Sequence, residues 1–232
     1  MNILPNSISL ESALLLGTGL VLGIRHAFDR DHVAAVTHFV SLEPNPLKSA
    51  WFGLRWALGH AISVALLGVL ILWFNLKFDP AFERTAELFI GIALVALGIW
   101  RLFLLWQERQ HSHEHLHPEN KSKHSHSHSH EPGSPHVHWL APTLVGIMHG
   151  AAGTVEIFVL IPLTFMASRW LAASYILLFS AGCAFSMTLY GYLAGHFYHC
   201  TNQAGRKIYQ VLVVLTSLSG FVLGAVWILK NI

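Results

Sequence analysis

The sequence predicts an all-α membrane protein, with about six transmembrane helices arranged as two inverted three-helix repeats. Three observations carry this. Of 232 residues, 53% are hydrophobic and only 11% charged, against about 25% charged in an ordinary soluble domain. Six stretches are apolar for roughly the 20 residues that a bilayer-crossing helix needs. They lie at about 9–40, 50–75, 84–106, 139–166, 171–197 and 207–229. Finally, a shift of 123 residues superimposes Gly23-Ile24-Arg25-His26-Ala27 on Gly146-Ile147-Met148-His149-Gly150, and Leu58-Gly59-His60-Ala61 on Ala181-Gly182-Cys183-Ala184.

The composition excludes a disordered chain and a nucleic-acid binder with a basic face, since the net charge is only +2. Trp or Tyr marks many segment ends (Trp51, Trp73, Trp106, Trp139, Trp170, Tyr198 and Trp227), as headgroup-level anchors do. A soluble bundle would need a polar stripe with helical period, and Ala61–Phe74 has almost none. Leu10–Ile24 lacks the basic leader of a signal peptide and is read as part of the mature protein. Cys183 and Cys200 make neither a disulfide framework nor a Cys-x-x-Cys metal site.

Six spans put both termini on one side. Loops after spans one, three and five carry Lys48, Arg109, Lys121, Lys123, Arg206 and Lys207, with Arg55 and Arg101 close by. The other side has Lys77, Arg84, Arg169 and Lys230. The positive-inside rule then sets the long central loop in the cytoplasm and both termini outside. The expected divisions are residues 1–106, a first three-helix half; 107–138, a disordered His-rich loop; and 139–232, a second three-helix half. An odd number of spans per half forces the halves into opposite orientations, an architecture of secondary transporters with the substrate site at the midplane.

The first span is interrupted by His26-Ala27-Phe28-Asp29-Arg30-Asp31-His32. Ionisable groups at membrane depth each cost at least about 2.5 kcal/mol on insertion scales, so a lipid-facing cluster is implausible. Imidazole and carboxylate together suit a divalent transition metal. On an unbroken helix His26, Asp29 and His32 share one face and Asp31 points away. Either Asp31 supports from behind, or the helix is distorted. Arg25 and Arg30 are placed to neutralise carboxylates that do not face the ion. His60 and His149 sit alone on apolar helices at the matched repeat positions. Glu156 follows in span four as a candidate ligand or proton carrier. Cys183 reads more readily as a packing residue than as a ligand.

Ten of the 17 histidines lie between His111 and His138, alternating with Ser and Glu and interrupted by Pro118, Pro132, Gly133 and Pro135. This composition reads as a disordered tract that buffers or hands over metal ions. No Walker-type phosphate loop is present, so the chain carries no ATP motor of its own. The absence of His-Glu-x-x-His counts against a membrane metallohydrolase. A metal sensor or chaperone anchored in the membrane is the remaining rival.

Arg25-His26-Ala27-Phe28-Asp29-Arg30-Asp31-His32 closely resembles the R-H-A-x-D-A-D-H signature of the nickel/cobalt transporter (NiCoT) family. Leu58-Gly59-His60-Ala61-Ile62-Ser63-Val64 is similar to that family's L-G-H-S-x-V-V element. Length and span number look most like the shorter urease-accessory-type nickel permeases, or nickel/cobalt efflux relatives with His-rich loops. Arg30 stands where the signature has Ala and Ala61 where it has Ser. The second-half signature survives loosely as His149-Gly150-Ala151-Ala152-Gly153-Thr154-Val155-Glu156. The resemblance implies a non-enzymatic permease for Ni2+ or Co2+ with no prosthetic group. His26, Asp31 and His32 would be its ion-recognition residues, with His60 supporting. The lipid bilayer and cytoplasmic nickel acceptor proteins would be its partners. The expected metal-facing set is therefore His26, Asp29, Asp31, His32, His60, His149 and Glu156.

Overall fold

The bilayer-length helices form where the sequence is apolar and end where it offers caps. Asn45 accepts hydrogen bonds at Oδ1 from the backbone N–H groups of Leu47 and Lys48, with Pro46 opening the next helix. At its far end Asn75 adopts the left-handed conformation (φ 49°) and returns its N–H to Ile71. Ser168 caps a later helix through Leu171 N–H. A computed structural model describes residues 10–76, 79–110, 140–151, 163, 166 and 168–232. The described residues form helices and no strand: α1 (Leu10–His26), α2 (Arg30–Leu42), α3 (Pro46–Phe74), α4 (Pro80–Gln110), α5 (Ala141–Gly150), α6 (Arg169–Ala204) and α7 (Arg206–Asn231).

Among the described residues, four helices are long and apolar enough to cross a bilayer: Pro46–Phe74, Ala81–Gln107, Arg169–Ala204 and Arg206–Asn231. They match the second, third, fifth and sixth expected stretches. The first stretch is two helices, α1 and α2, parted at Ala27–Asp29. Of the fourth, only α5 and two later residues, Leu163 and Met166, lie within the described residues. Large apolar side chains such as Leu58, Ile62, Leu66, Phe185, Leu193, Leu215 and Val222 are exposed over the long helices. A soluble protein would not leave so broad an apolar surface in water.

Glycine sets how closely the helices approach. α3 and α6 run antiparallel: Gly53 abuts the backbone of Met187, and Gly68 abuts Ile176. α1 lies along α6 in the same direction, with Gly19 and Gly23 against Tyr175 and Phe179. α5 lies along α3 in the same direction, with Gly146 and Gly150 against Trp56 and His60. A Cβ at Gly23, Gly59 or Gly146 would run into a neighbouring carbonyl. Small residues at such crossings are how membrane helices pack, because lipid offers no hydrophobic drive between them. α4 and α7 form a second antiparallel pair through Gly91 and Gly224.

One buried ion holds the end of α2. Arg101 of α4 is 1% exposed and donates from Nε to Ser41 Oγ (3.1 Å) and from Nη2 to Ser41 O (3.0 Å) and Tyr209 Oη (3.0 Å). The Tyr209 hydroxyl donates to the same Ser41 carbonyl at 2.7 Å. Arg101, counted above among the charges near a loop, is thus a buried tie between α2, α4 and α7. Its guanidinium fork is spent on hydrogen bonds inside the protein.

Candidate metal centre

The helix break at Ala27–Asp29 builds the site. Phe28 N–H bonds Arg25 O and Asp29 N–H bonds His26 O in tight turns, and α2 restarts at Arg30. This resolves the two alternatives for Asp31: the helix is distorted, and the distortion brings His32 back beside His26. Their rings meet edge-on with centroids 4.5 Å apart. α1 ends at the cluster, and so does α5, whose last two residues are His149 and Gly150. Helix C-termini carry about half a negative charge each, so both helix ends favour a cation nearby, although the His26 carbonyl is itself engaged by Asp29 N–H and His32 Nδ1. The opposing N-terminus of α2 has Asp29 at its cap and Asp31 in its first turn.

Four imidazoles converge from α1, α2, α3 and α5. One nitrogen from each of His26, His32 and His60 lies within 4.8 Å of the others. Nitrogens on opposite sides of one ion, at metal–nitrogen distances of about 2.1 Å, are about 4.2 Å apart. His26 Nε2 and His60 Nε2 are 3.2 Å apart. The His149 ring is centred 5.6 Å from that of His32. His60 and His149 are 0% exposed, His26 1% and His32 2%.

The outer ring nitrogens decide the tautomers. His26 Nδ1 donates to Asp29 Oδ2 at 2.9 Å. His32 Nδ1 donates to the His26 carbonyl at 3.1 Å, and His149 Nδ1 to the Val145 carbonyl at 2.8 Å. In each case Nδ1 carries the proton and Nε2 keeps its lone pair. Histidines that ligate metals are held in this way, the far N–H fixed on a carboxylate or carbonyl. His149 Nε2 and His60 Nδ1 are buried with no hydrogen-bond partner among the described residues.

The expected residues therefore divide. His26, His32, His60 and His149 come together. Asp31 is 8% exposed, with Oδ2 3.7 Å from His32 Nε2, at the cluster's edge. Asp29 is a third exposed and orients His26 from behind. Glu156 and the loop histidines lie outside the described residues. Arg30 is exposed and lines a lateral cavity of about 700 Å³ between α2, α6 and α7, together with Thr37 and Tyr190. Cys183 packs in an apolar cluster with Ala27, Trp56 and Met187.

Two aromatic walls complete the cluster, and neither is among the residues expected from the sequence. Trp56 is fully buried and stacks on His60 (5.3 Å, 24°), with His32 at 4.7 Å and His149 at 5.5 Å. Phe179, also fully buried, lies 5.2 Å from His26. Trp56 stands one helical turn before His60, and that spacing was the one signal available.

Residues 13–232 match the family described as High-affinity nickel-transport protein, NicO. The chain belongs to that family. It is a multi-pass membrane protein and its substrate is Ni2+, so its task is transport and not catalysis. A urease accessory protein, UreH, of Bacillus sp. (strain TB-90) is 30% identical over 181 residues, covering 78% of this transporter and 76% of that protein. No solved structure matches it.

Proposed function

We propose that the transporter carries Ni2+, and Co2+ as a second substrate, through a midplane site formed by His26, His32, His60 and His149, with Asp31 supplying charge at its edge. The observation that carries this is the set of three imidazoles whose Nδ1–H groups are already committed, leaving Nε2 lone pairs in a buried cluster. Imidazole nitrogen suits Ni2+ and Co2+ and discriminates against Mg2+, which prefers oxygen ligands. Asp29 sets the tautomer of His26. Glu156 is assigned to the same pathway as a ligand or proton carrier.

The two halves, 1–106 and 139–232, are read as inverted repeats joined by the His-rich segment 107–138. Contacts related by the 123-residue shift support this. Gly23 on Phe179 corresponds to Gly146 on Trp56, and Gly182 on Leu20 corresponds to Gly59 on Thr143. His60 is the midpoint of α3, which sets the cluster halfway along a spanning helix.

The direction assigned is uptake, as a secondary transporter. A +2 ion gains about 4.6 kcal/mol per 100 mV on moving inward. The His-rich loop is then cytoplasmic, both termini lie outside, the bilayer surrounds the long helices, and cytoplasmic acceptor proteins receive the metal. Metal flux measured in sealed right-side-out and inverted vesicles tests this. Accumulation of Ni2+ in right-side-out vesicles under an inside-negative potential is expected. Extrusion under the same potential would establish efflux instead, and binding without flux would establish a sensor.

A further inference from the structure

All four imidazoles are sealed from solvent, so an ion can reach them only if something in the wall moves. We propose that Trp56 and Phe179 are the two gates of the site, each closing it toward a different membrane face. The proposal rests on the transport reading above and adds to it the parts that alternate.

The packing register gives their heights. Gly53 faces Met187 and Gly68 faces Ile176 across the antiparallel α3/α6 pair. Phe179 therefore falls between His60 and Gly68 in height, on the Phe74 side of the cluster. Trp56 lies one turn from His60 on the other side, toward Pro46. Helical side chains lean toward the N-terminus of their own helix, which tilts the indole toward the Pro46 end and the phenyl ring toward the Arg169 end. The two rings thus cap the imidazoles from opposite directions: Trp56 covers His32, His60 and His149, and Phe179 covers His26.

They are also equivalent under the 123-residue shift, as His26 and His149 are. The Phe179–His26 separation of 5.2 Å and the Trp56–His149 separation of 5.5 Å are nearly the same. Both plates are closed in this structure, which is the arrangement of an occluded state. The indole Nε1–H of Trp56 is buried with no hydrogen-bond partner among the described residues. A buried N–H left unpaired is costly, so the closed position of Trp56 is one that it gains by leaving.

The chain contains its own reporter. Cys183 lies one turn from Phe179 on α6, is 1% exposed, and shares a cluster with Trp56. By the same register it falls between Trp56 and His60 in height. Cys200 is exposed near the Ala204 end of α6, where His199 meets the Pro44 carbonyl, so it marks the membrane face on the Trp56 side. In sealed vesicles a charged, membrane-impermeant methanethiosulfonate first labels Cys200, which identifies that face. In a Cys200→Ser background, Cys183 of the otherwise native protein should react slowly from both faces. Trp56→Ala should raise the rate about tenfold or more from the Cys200 face alone, and Phe179→Ala from the opposite face alone. Trp56→Phe and Phe179→Tyr should stay sealed, which separates gating from misfolding. If both alanine variants open the same face, or if neither changes the rate in correctly inserted protein, the proposal is wrong. Because labelling needs no nickel, absence of Ni2+ flux through the unsubstituted protein with this labelling pattern intact would count against the transport reading and leave the gates standing.

Discussion

At the scale of single residues, the proposed site spends one nitrogen in each of three of its four histidines to aim the other. His26, His32 and His149 each fix Nδ1–H on an oxygen. Replacing His26 or His32 by Ala, or Asp31 by Asn, should abolish Ni2+ flux in sealed vesicles while the protein stays inserted and folded. Normal flux from any well-expressed single variant removes that residue from the pathway. Asp29→Asn should be milder than loss of a ligand, because Asp29 only orients His26. Removing such an outer partner typically weakens metal affinity about 10–100-fold, and a titration of the purified protein with Ni2+ reads this directly. His26, Asp31 and His32 were legible from sequence because ionisable groups inside an apolar run demand a reason. Trp56 and Phe179 were not, since a buried aromatic on an apolar helix is indistinguishable from packing until its neighbours are known.

At the scale of elements, two devices place the half-helices that end at the cluster. The first is glycine contact. Gly23 and Gly146 let α1 and α5 touch the carbonyl-bearing backbones of α6 and α3. Gly23→Val or Gly146→Val should therefore push a half-helix off its partner. Overpacking at such a site costs about 1–3 kcal/mol, seen as a lower melting temperature in detergent and reduced flux. Gly17→Ala is the control: nothing lies within 4 Å of a Cβ there, and stability should hold or rise by up to about 1 kcal/mol through better helix propensity. The second device is the Arg101–Ser41–Tyr209 tie, which anchors α2 at the end away from the ligands. Arg101→Met strands part of that network at a cost of about 1–3 kcal/mol. It should lower thermal stability while Ni2+ binding to the folded fraction persists. Equal loss of binding and stability would show that α2 needs this anchor to present His32.

At the scale of the whole molecule, the task is proposed to divide between a selective interior and an unselective His-rich segment. Discrimination needs ligands held at fixed number and geometry, and the buried imidazoles of four helices are assigned that part. The tract from His111 to His138 repeats interchangeable imidazoles and suits ion storage near one mouth. Replacing it by a neutral linker of equal length should leave Ni2+ flux measurable and still selective over Mg2+, with a changed apparent affinity. Imidazole binds metal only when neutral and has a reference pKa of about 6.5, so the loop's contribution should fade below about pH 6. The linker variant should lose that part of the pH dependence. Complete loss of flux in an inserted linker variant would make the loop part of the obligatory path.

By itself the sequence determined the helical membrane class, four of the spanning helices and the charged break in the first stretch. Hydropathy and the cost of burying charge act locally along the chain and leave a readable pattern. The family resemblance was legible from the same residues, through the eight-residue motif of span one. The closure of His60 and His149 onto His26 and His32 was decided only by tertiary structure. Their convergence depends on which glycine meets which carbonyl across α1/α6 and α3/α5, and on the break at Ala27–Asp29 that turns Asp31 and His32 relative to His26. So too was the change in Arg101 from an apparent surface charge to a buried tie. A lone polar residue on an apolar helix carries no record of its partner, because the partner belongs to another helix and is met only when the helices pack.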